Sequence, residues 1–169
     1  INAIVDDVDD RTAYLMQLME NEHREKVPEL ERARSWKKLK DEEGLTFRQL
    51  ANIVGYSINY VKTLLIGLDG HNSGVRAPTL EQTSMVHSVN CSIEEKKALA
   101  KKIVDEDLRR DDLREVLKVY KGRKTPEEKE AVINTKHLKS KGISFDQTVT
   151  ATLDQGKNKH DPLRVYKET

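Results

Sequence analysis

The chain has 169 residues, of which 35% are charged and 5% are aromatic, a balance that favours small helical bundles over a deep α/β core. Its single cysteine excludes an internal disulfide framework. No apolar run approaches the roughly 20 residues that span a bilayer, and no signal-peptide pattern opens the chain, so we expect a cytoplasmic protein without membrane association. Because the chain begins at Ile1 rather than Met, we expect it to be part of a longer protein.

The net charge of +1 conceals a gradient along the chain. Residues 1–44 carry 8 Lys and Arg against 12 Asp and Glu, residues 45–90 carry 3 against 2, and residues 91–169 carry 19 against 15. The basic excess therefore begins near residue 45 and continues to the end of the sequence. Such an excess permits binding to nucleic acid, but a solvated helical surface would show it too.

Helix signals appear in regular order in the first half of the chain. Asp9 and Asp10 can cap a helix that runs to about Asn21. Pro28 suits the start of a second helix, which Gly44 ends. The apolar side of this second helix holds Leu30, Ala33, Trp36 and Leu39. Two shorter helices are predicted at 46–54 and at 57 to about 67, on either side of a Gly-Tyr-Ser break.

The second half of the chain begins with a glycine-rich stretch, GLDGHNSGVRAP, at residues 67–78. We interpret it as a loop and a subdomain boundary, with a helix following from Pro78 to about Val89. A further helix is predicted to start at Asp111 or Asp112. Three later helix starts carry the capping-box pattern, namely Ser92 with Glu95, Thr125 with Glu128, and Ser144 with Gln147.

Glycines are predicted to follow the ends of the later helices, at Gly122, Gly142 and Gly156. The tail from residue 157 onwards is predicted to be irregular, and the sole candidate strand is a short one at residues 1–5. These patterns together predict an all-α fold of about eight helices, with a helix-turn-helix DNA-binding core inside a multi-helix bundle.

The segment TFRQLANIVGYSINYVKTLLIGL, residues 46–68, has the spacing of a DNA-binding helix-turn-helix. Ala51 provides a small residue where the helices cross, Gly55 tolerates positive φ in the turn, and Ser57 can cap the second helix. The predicted buried positions are Leu50, Ile53, Val54, Val61, Leu64 and Leu65. An ordinary helical hairpin that closes a core is the alternative.

The same spacing leaves one side of the second helix for DNA. The candidate recognition residues are Ser57, Ile58, Asn59, Tyr60, Lys62 and Thr63. Asn can pair with adenine, Thr can meet a base edge or a methyl group, and Lys and Tyr can hold phosphates. We therefore expect the N-terminal half of this helix to read double-stranded DNA.

Additional contacts with the DNA backbone are predicted on both sides of this helix. Thr46, Arg48 and Gln49 open the preceding helix, where side chains commonly meet phosphates. Arg109 and Arg110 precede a basic cluster, which continues with Arg114, Lys118, Lys121, Arg123 and Lys124. For this cluster simple solvation is the alternative. By contrast, we expect the run of Lys96, Lys97, Lys101 and Lys102 to form a solvated helix face.

Three motifs in fixed order extend this interpretation. The segment Glu20-Asn21-Glu22-His23-Arg24-Glu25 ends the first predicted helix, Glu31-Arg32-Ala33-Arg34 lies in the next, and the helix-turn-helix follows. This order resembles the ParB family of chromosome- and plasmid-partition proteins over about residues 3–68, and more generally to about residue 120. It implies an N-terminal region and linker helix at 1–44, a DNA-binding domain at 45–121, and a helical extension with an irregular tail at 122–169.

The resemblance implies a centromere-binding protein that is a homodimer, works with a ParA-type ATPase and associates with the nucleoid or a plasmid. Many family members are CTP-dependent DNA-sliding clamps, so Glu20, Asn21 and Arg24 become candidate nucleotide-binding residues, with CTP and Mg²⁺ as the cofactor of the full-length protein. The family's Gly-x-Arg-Arg motif is absent here, and Glu22 and His23 replace an amide-rich pair, so we expect poor CTP binding by this chain. No catalytic residue or metal site is predicted. The alternatives are a helix-turn-helix repressor, a clamp with CTPase activity, and a helical adaptor that binds only proteins.

Overall fold

Helices joined by short connections account for the regular structure of the part of the chain that is described. A computed structural model describes residues 9–10, 13–14, 16–17, 20, 27–137 and 143–159. Within these ranges every regular element is a helix, which confirms the predicted all-α fold. The elements are α1 Glu29–Glu42, α2 Phe47–Val54, α3 Ile58–Asn72, α4 Leu80–His87, α5 Ile93–Asp105, α6 Arg110–Gly122, α7 Pro126–Asn134 and α8 Phe145–Lys159.

Several predicted features fall outside the described residues, among them the strand at 1–5, Gly142 and the tail beyond residue 159. Of the first predicted helix, those residues between Asp10 and Glu20 that the structure describes are helical. No helix in the described ranges is both long enough and apolar enough to cross a membrane.

Side-chain caps begin the helices where the sequence predicts them. In the box at α5 the Glu95 N–H donates to Ser92 Oγ at 3.2 Å, and the Ser92 N–H donates to Glu95 Oε2 at 2.8 Å. The boxes at α7 and α8 have the same reciprocal pattern. A fourth box, Thr46 with Gln49 at α2, was not identified from the sequence. These bonds satisfy backbone donors that a helix start leaves without partners.

The predicted loop at 67–78 is wrong over its first half, because α3 continues to Asn72. Gly67 and Gly70 are buried where α3 crosses α4. A Cβ on Gly67 would lie 2.3 Å from the Leu80 carbonyl oxygen, and one on Gly70 would lie 3.0 Å from side-chain atoms of Thr83 and His87. The glycines therefore permit a close helix crossing rather than a helix end. Gly156 likewise lies inside α8 and not after it.

Two clusters of buried apolar side chains fill the interior. In the first cluster α1, α2 and α3 meet, and Leu80 reaches it from α4. Its members are Ala33, Trp36, Leu39, Leu50, Ala51, Val54, Val61, Leu64, Leu65, Leu68 and Leu80. The second joins α4 to α8, and its members include Val86, Leu99, Ile103, Leu113, Val116, Tyr120, Val132, Phe145 and Val149. Helix α4 thus contributes to both clusters, and Trp36 is fully buried as the apolar side of its helix predicts.

Lys102 departs from the solvated lysine face predicted for α5. Its side chain is only 3% exposed, and its Nζ lies 2.6 Å from Glu106 Oε1. The same ammonium donates to the Thr135 carbonyl and lies 5.6 Å from the centre of the Phe145 ring. The charge is buried because a carboxylate and a carbonyl replace the water it loses.

The Lys102 contacts continue into a polar network that joins four segments. Glu106 Oε2 accepts from the His137 N–H at 2.9 Å, and His137 Nε2 lies 3.2 Å from Glu115 Oε2. The other oxygen of Glu115 accepts from the Phe145 N–H at 3.0 Å. The bond from Phe145, followed by the one from His137, holds the pKa of Glu115 below its ordinary value. The network fastens α8 and the α7–α8 connection to α5 and α6.

Candidate DNA-binding surface

The turn between α2 and α3 has the conformation that its residues predict. Gly55 adopts a φ of 73°, in the left-handed region that favours glycine. The N–H groups of Gly55 and Tyr56 both donate to the Ala51 carbonyl. Ser57 then caps α3 by accepting from the Tyr60 N–H at 3.2 Å. This geometry ends α2 at Val54 and fixes where α3 begins.

The packing of α3 determines which of its side chains reach solvent. Of the predicted buried positions, Leu50, Val54, Val61, Leu64 and Leu65 are buried, while Ile53 is half-buried. An ion pair of 3.5 Å between Lys37 of α1 and Asp69 of α3 adds a contact at the far end of the helix. The exposed side of α3 consequently carries Asn59 and Lys62, with Thr63 and Ile58 half-buried beside them.

The ring of Tyr60, which the sequence predicts to hold a phosphate, is half-buried in an aromatic cluster at the turn. Its ring centre lies 5.2 Å from that of Tyr56 and 6.1 Å from that of Trp36. The Arg32 guanidinium lies 5.6 Å from the centre of the Tyr56 ring. The cluster attaches the turn to α1, and Tyr56 is its exposed member. Sequence reasoning missed Tyr56, although its position between Gly55 and Ser57 places it at the turn.

Three contact residues are predicted at the start of α2, and one of them is a cation on the surface. Arg48 is exposed. The Gln49 side-chain oxygen accepts from both the N–H and the hydroxyl of Thr46, at 2.9 and 2.8 Å. Thr46 and Gln49 are thus engaged in capping α2, and the NH2 group of Gln49 is the donor this pair can still offer to DNA.

Helix α6 carries basic side chains on one face, which we call the basic ridge: Arg110, Arg114, Lys118 and Lys121. The ridge lines an open groove of about 580 Å³ together with Ser84 of α4 and Ser88, which follows the end of that helix. Arg114 pairs with its neighbour Asp111 at 3.0 Å. Lys118 and Lys121 are exposed and have no ion-pair partner among the described residues. The ridge is therefore a positive surface only partly neutralised by the protein.

The structure brings the ridge to the exposed face of α3. A second hollow, of about 360 Å³, is lined by Asn59, Tyr60, Thr63 and Leu64 from α3, by Arg110, and by the carboxylates Glu29 and Glu81. Thr63, Glu81 and Arg110 also line the first groove, so the two hollows adjoin. Residues far apart in sequence, Asn59 and Arg110, thus face a common space.

Two other predicted basic residues have different positions. Arg109 is exposed at the start of α6, where its N–H donates to Asp112 at 3.1 Å, and it lines neither hollow. Arg123 is largely buried, and its guanidinium donates to Asp146 at 2.7 Å and to Thr150 at 3.1 Å. Arg123 therefore binds α8 rather than belonging to the basic surface, a correction to the predicted cluster.

The predicted nucleotide residues are described only in part. Glu20 is helical and exposed. Asn21 and Arg24 lie outside the described residues, so the structure does not test whether the three side chains converge. No group of three or more His, Cys, Asp or Glu suited to a metal ion occurs in the part of the chain that the structure covers.

No protein-family model matches the chain, and searches of curated proteins and of solved structures give no match. The ParB resemblance therefore rests on the motif residues themselves. The candidate DNA-binding surface rests on its geometry and charge.

Proposed function

We propose that residues 46–68 are a DNA-binding helix-turn-helix and that the protein binds a specific double-stranded DNA site. The observation that carries the proposal is the convergence of Asn59 and Thr63 of α3 with Arg110 and the basic ridge. A helical hairpin that only closes a core does not need an exposed polar face next to partly unpaired cations. A DNA reader needs both, because base contacts specify the site and phosphate contacts position the protein.

In this proposal the N-terminal half of α3 enters the major groove. Asn59 donates to and accepts from an adenine edge, and Thr63 contacts the neighbouring base or its methyl group. Lys62 and Arg48 neutralise phosphates on either side of the groove, while Lys118 and Lys121 follow the flanking backbone. Ser57, Ile58 and Tyr60 set the position of α3 through capping and packing.

The biological role that we propose is that of a centromere-binding protein in a plasmid or chromosome partition system. It is supported by the ordered motifs of residues 20–25, 31–34 and 46–68, which resemble the ParB family. In that role the protein forms a homodimer on its DNA site, associates with the nucleoid or a plasmid, and works with a ParA-type ATPase. CTP binding by Glu20, Asn21 and Arg24 is a separate part of the proposal, and titration of labelled CTP against the chain tests it.

Selection of bound sites from random and genomic double-stranded DNA tests the DNA proposal. We expect a short sequence to be enriched and retained at physiological salt. Asn59→Ala should reduce discrimination between that site and random DNA by about 1–3 kcal/mol. Lys62→Ala should weaken binding to all sequences and lower the salt slope by about 1. If no sequence is enriched, or if Asn59→Ala discriminates as well as the wild type, the proposal is wrong.

A further inference from the structure

Arg110 differs from the other members of the basic ridge in how it is held. Its Nε lies 2.8 Å from Oε1 of Glu81, which belongs to the first turn of α4. Arg114 pairs only within its own helix, with Asp111. Arg110 is thus the ridge cation that an ion pair joins to a different helix, α4. Helix α3 crosses α4 at Gly67 and Gly70.

The ion pair has little to do with the stability of the fold. The two side chains are 56% and 42% exposed, and exposed ion pairs contribute little because water and salt screen them. A carboxylate on a DNA-facing surface would also repel phosphates. Both considerations suggest that Glu81 has a role in binding that outweighs this repulsion.

The geometry of a guanidinium indicates that role. Arginine has five N–H donors in a planar fork, and the Glu81 carboxylate forms its ion pair at Nε, on one side of that fork. The two NH2 groups at the tip remain, and a side chain held at Nε presents them in a restricted orientation. Arg110 and Glu81 both line the hollow that contains Asn59 and Thr63.

We propose that Glu81 is a positioning residue for DNA recognition, which holds Arg110 beside Asn59 and Thr63 so that the arginine donates to a base edge as part of the readout. Paired NH2 donors match the two acceptors of guanine in the major groove. A lysine of the ridge has a flexible side chain with a single ammonium group, so it contributes charge but no oriented pair of donors. This inference rests on the proposed DNA-binding function of α3.

The test compares affinities of the whole chain for its selected site and for random DNA of equal length. Glu81→Ala should lower the ratio of the two affinities roughly ten-fold, because Arg110 loses its orientation. Glu81→Gln should lower the ratio nearly as much, because the contact between Glu81 and Arg110 is an ion pair and glutamine carries no charge. Both variants remove the same negative charge from the first turn of α4, and Glu81→Gln keeps the length of the side chain, so equal effects would show that the charge of Glu81 orients Arg110.

The pair should also act as a unit. Arg110→Ala should lower the ratio as Glu81→Ala does, and the double variant Glu81→Ala with Arg110→Ala should lose no more than Arg110→Ala alone. Glu81→Ala binding both DNAs more tightly by one common factor would show that Glu81 only repels phosphates, and the inference would fail. A wild-type ratio of one would overturn the DNA proposal together with it, whereas a selective wild type unaffected by Glu81→Ala would overturn this inference alone.

Discussion

Lys102 of α5 and Glu106, which follows the last residue of that helix, form a 2.6 Å ion pair in which the lysine side chain is 3% exposed and the glutamate 15%. Removing one partner of such a pair is costly, because the other charge stays buried without compensation. Lys102→Ala should therefore lower the free energy of unfolding by about 3 kcal/mol. Chemical denaturation monitored by circular dichroism measures the loss.

The neighbouring Lys101 provides the control for this change. It lies on the same helix and is exposed, so Lys101→Ala should alter stability by no more than about 0.5 kcal/mol. Equal effects of the two substitutions would mean that the Lys102 ammonium is solvated and that the network described here is not maintained in solution.

Acid should weaken the attachment of α8 through Glu115. Its pKa is lowered in the folded protein, first by the Phe145 N–H bond and then by His137. Between this lowered value and the ordinary one near 4.5, the unfolded chain binds more protons than the folded protein, so stability rises with pH. The contribution of Glu115 is therefore present above about pH 4.5 and is lost as the pH falls through the folded-state value.

Glu115→Gln should flatten this acid dependence, since glutamine does not titrate but can still accept from Phe145. Urea unfolding at a series of pH values between about 3 and 6 measures the slope. The exposed Glu130 on α7 serves for comparison, and Glu130→Gln should leave the slope almost as in the wild type. A Glu115→Gln protein with an unchanged acid dependence would contradict the role given to the network.

The crossing of α3 and α4 should tolerate no side chain at Gly67. Gly67→Ala places a Cβ against the Leu80 backbone at 2.3 Å, and backbone cannot yield as a side chain can. We expect a loss of about 3 kcal/mol, typical of severe overpacking. Gly70→Ala meets only side-chain atoms at 3.0 Å and should cost about 1 kcal/mol.

Gly122 supplies the matched control, because a Cβ there has no atom within 4 Å among the described residues. Gly122→Ala should leave the thermal midpoint unchanged or raise it slightly, as alanine favours helix by up to about 1 kcal/mol. If Gly67→Ala behaved like Gly122→Ala in thermal unfolding, the close crossing would not exist in solution.

The basic ridge should contribute affinity without sequence preference. Lys118 and Lys121 are exposed and lack ionic partners in the described ranges, so each can neutralise a phosphate. The double variant Lys118→Ala with Lys121→Ala should weaken binding to selected and random DNA by a similar factor. The slope of log Kobs against log salt should fall in magnitude by about 2.

Fluorescence polarisation at several salt concentrations gives that slope, with Lys101→Ala as a control for loss of a surface charge elsewhere. An unchanged slope in the double variant would place the ridge outside the DNA interface. A loss confined to the selected site would show that these lysines read bases rather than phosphates.

The parts of the fold that the sequence predicts are those that depend on near neighbours. A capping box involves residues three positions apart, and the Gly55 turn closes within the same short span, so both could be recognised locally. Likewise, the apolar positions of α2 and α3 follow from helical periodicity. The burial and hydrogen bonds of the corresponding residues confirm these expectations, except that Ile53 is half-buried.

Apart from the local Thr46–Gln49 box and Tyr56 at the turn, the parts that escaped prediction depend on distant segments. Gly67 and Gly70 have the composition of a loop, and only the approach of α4 explains them as packing residues. Lys102 belongs to an apparently solvated lysine run until Thr135 and Phe145 cover it. The position of Arg110 near Asn59 also depends on distant segments. No local sequence pattern indicates which face of α6 lies beside α3.

The α3–α4 crossing also sets the direction of the proposed recognition helix. Asn59 precedes Gly67 by eight positions, which is about 12 Å along a helix. A rotation of about 10° at the crossing would therefore carry Asn59 sideways by roughly 2 Å, enough to break a hydrogen bond with a base. The side chains packed against Gly67 thus help to determine which DNA sequence the proposed recognition helix reads, although they do not reach the DNA themselves.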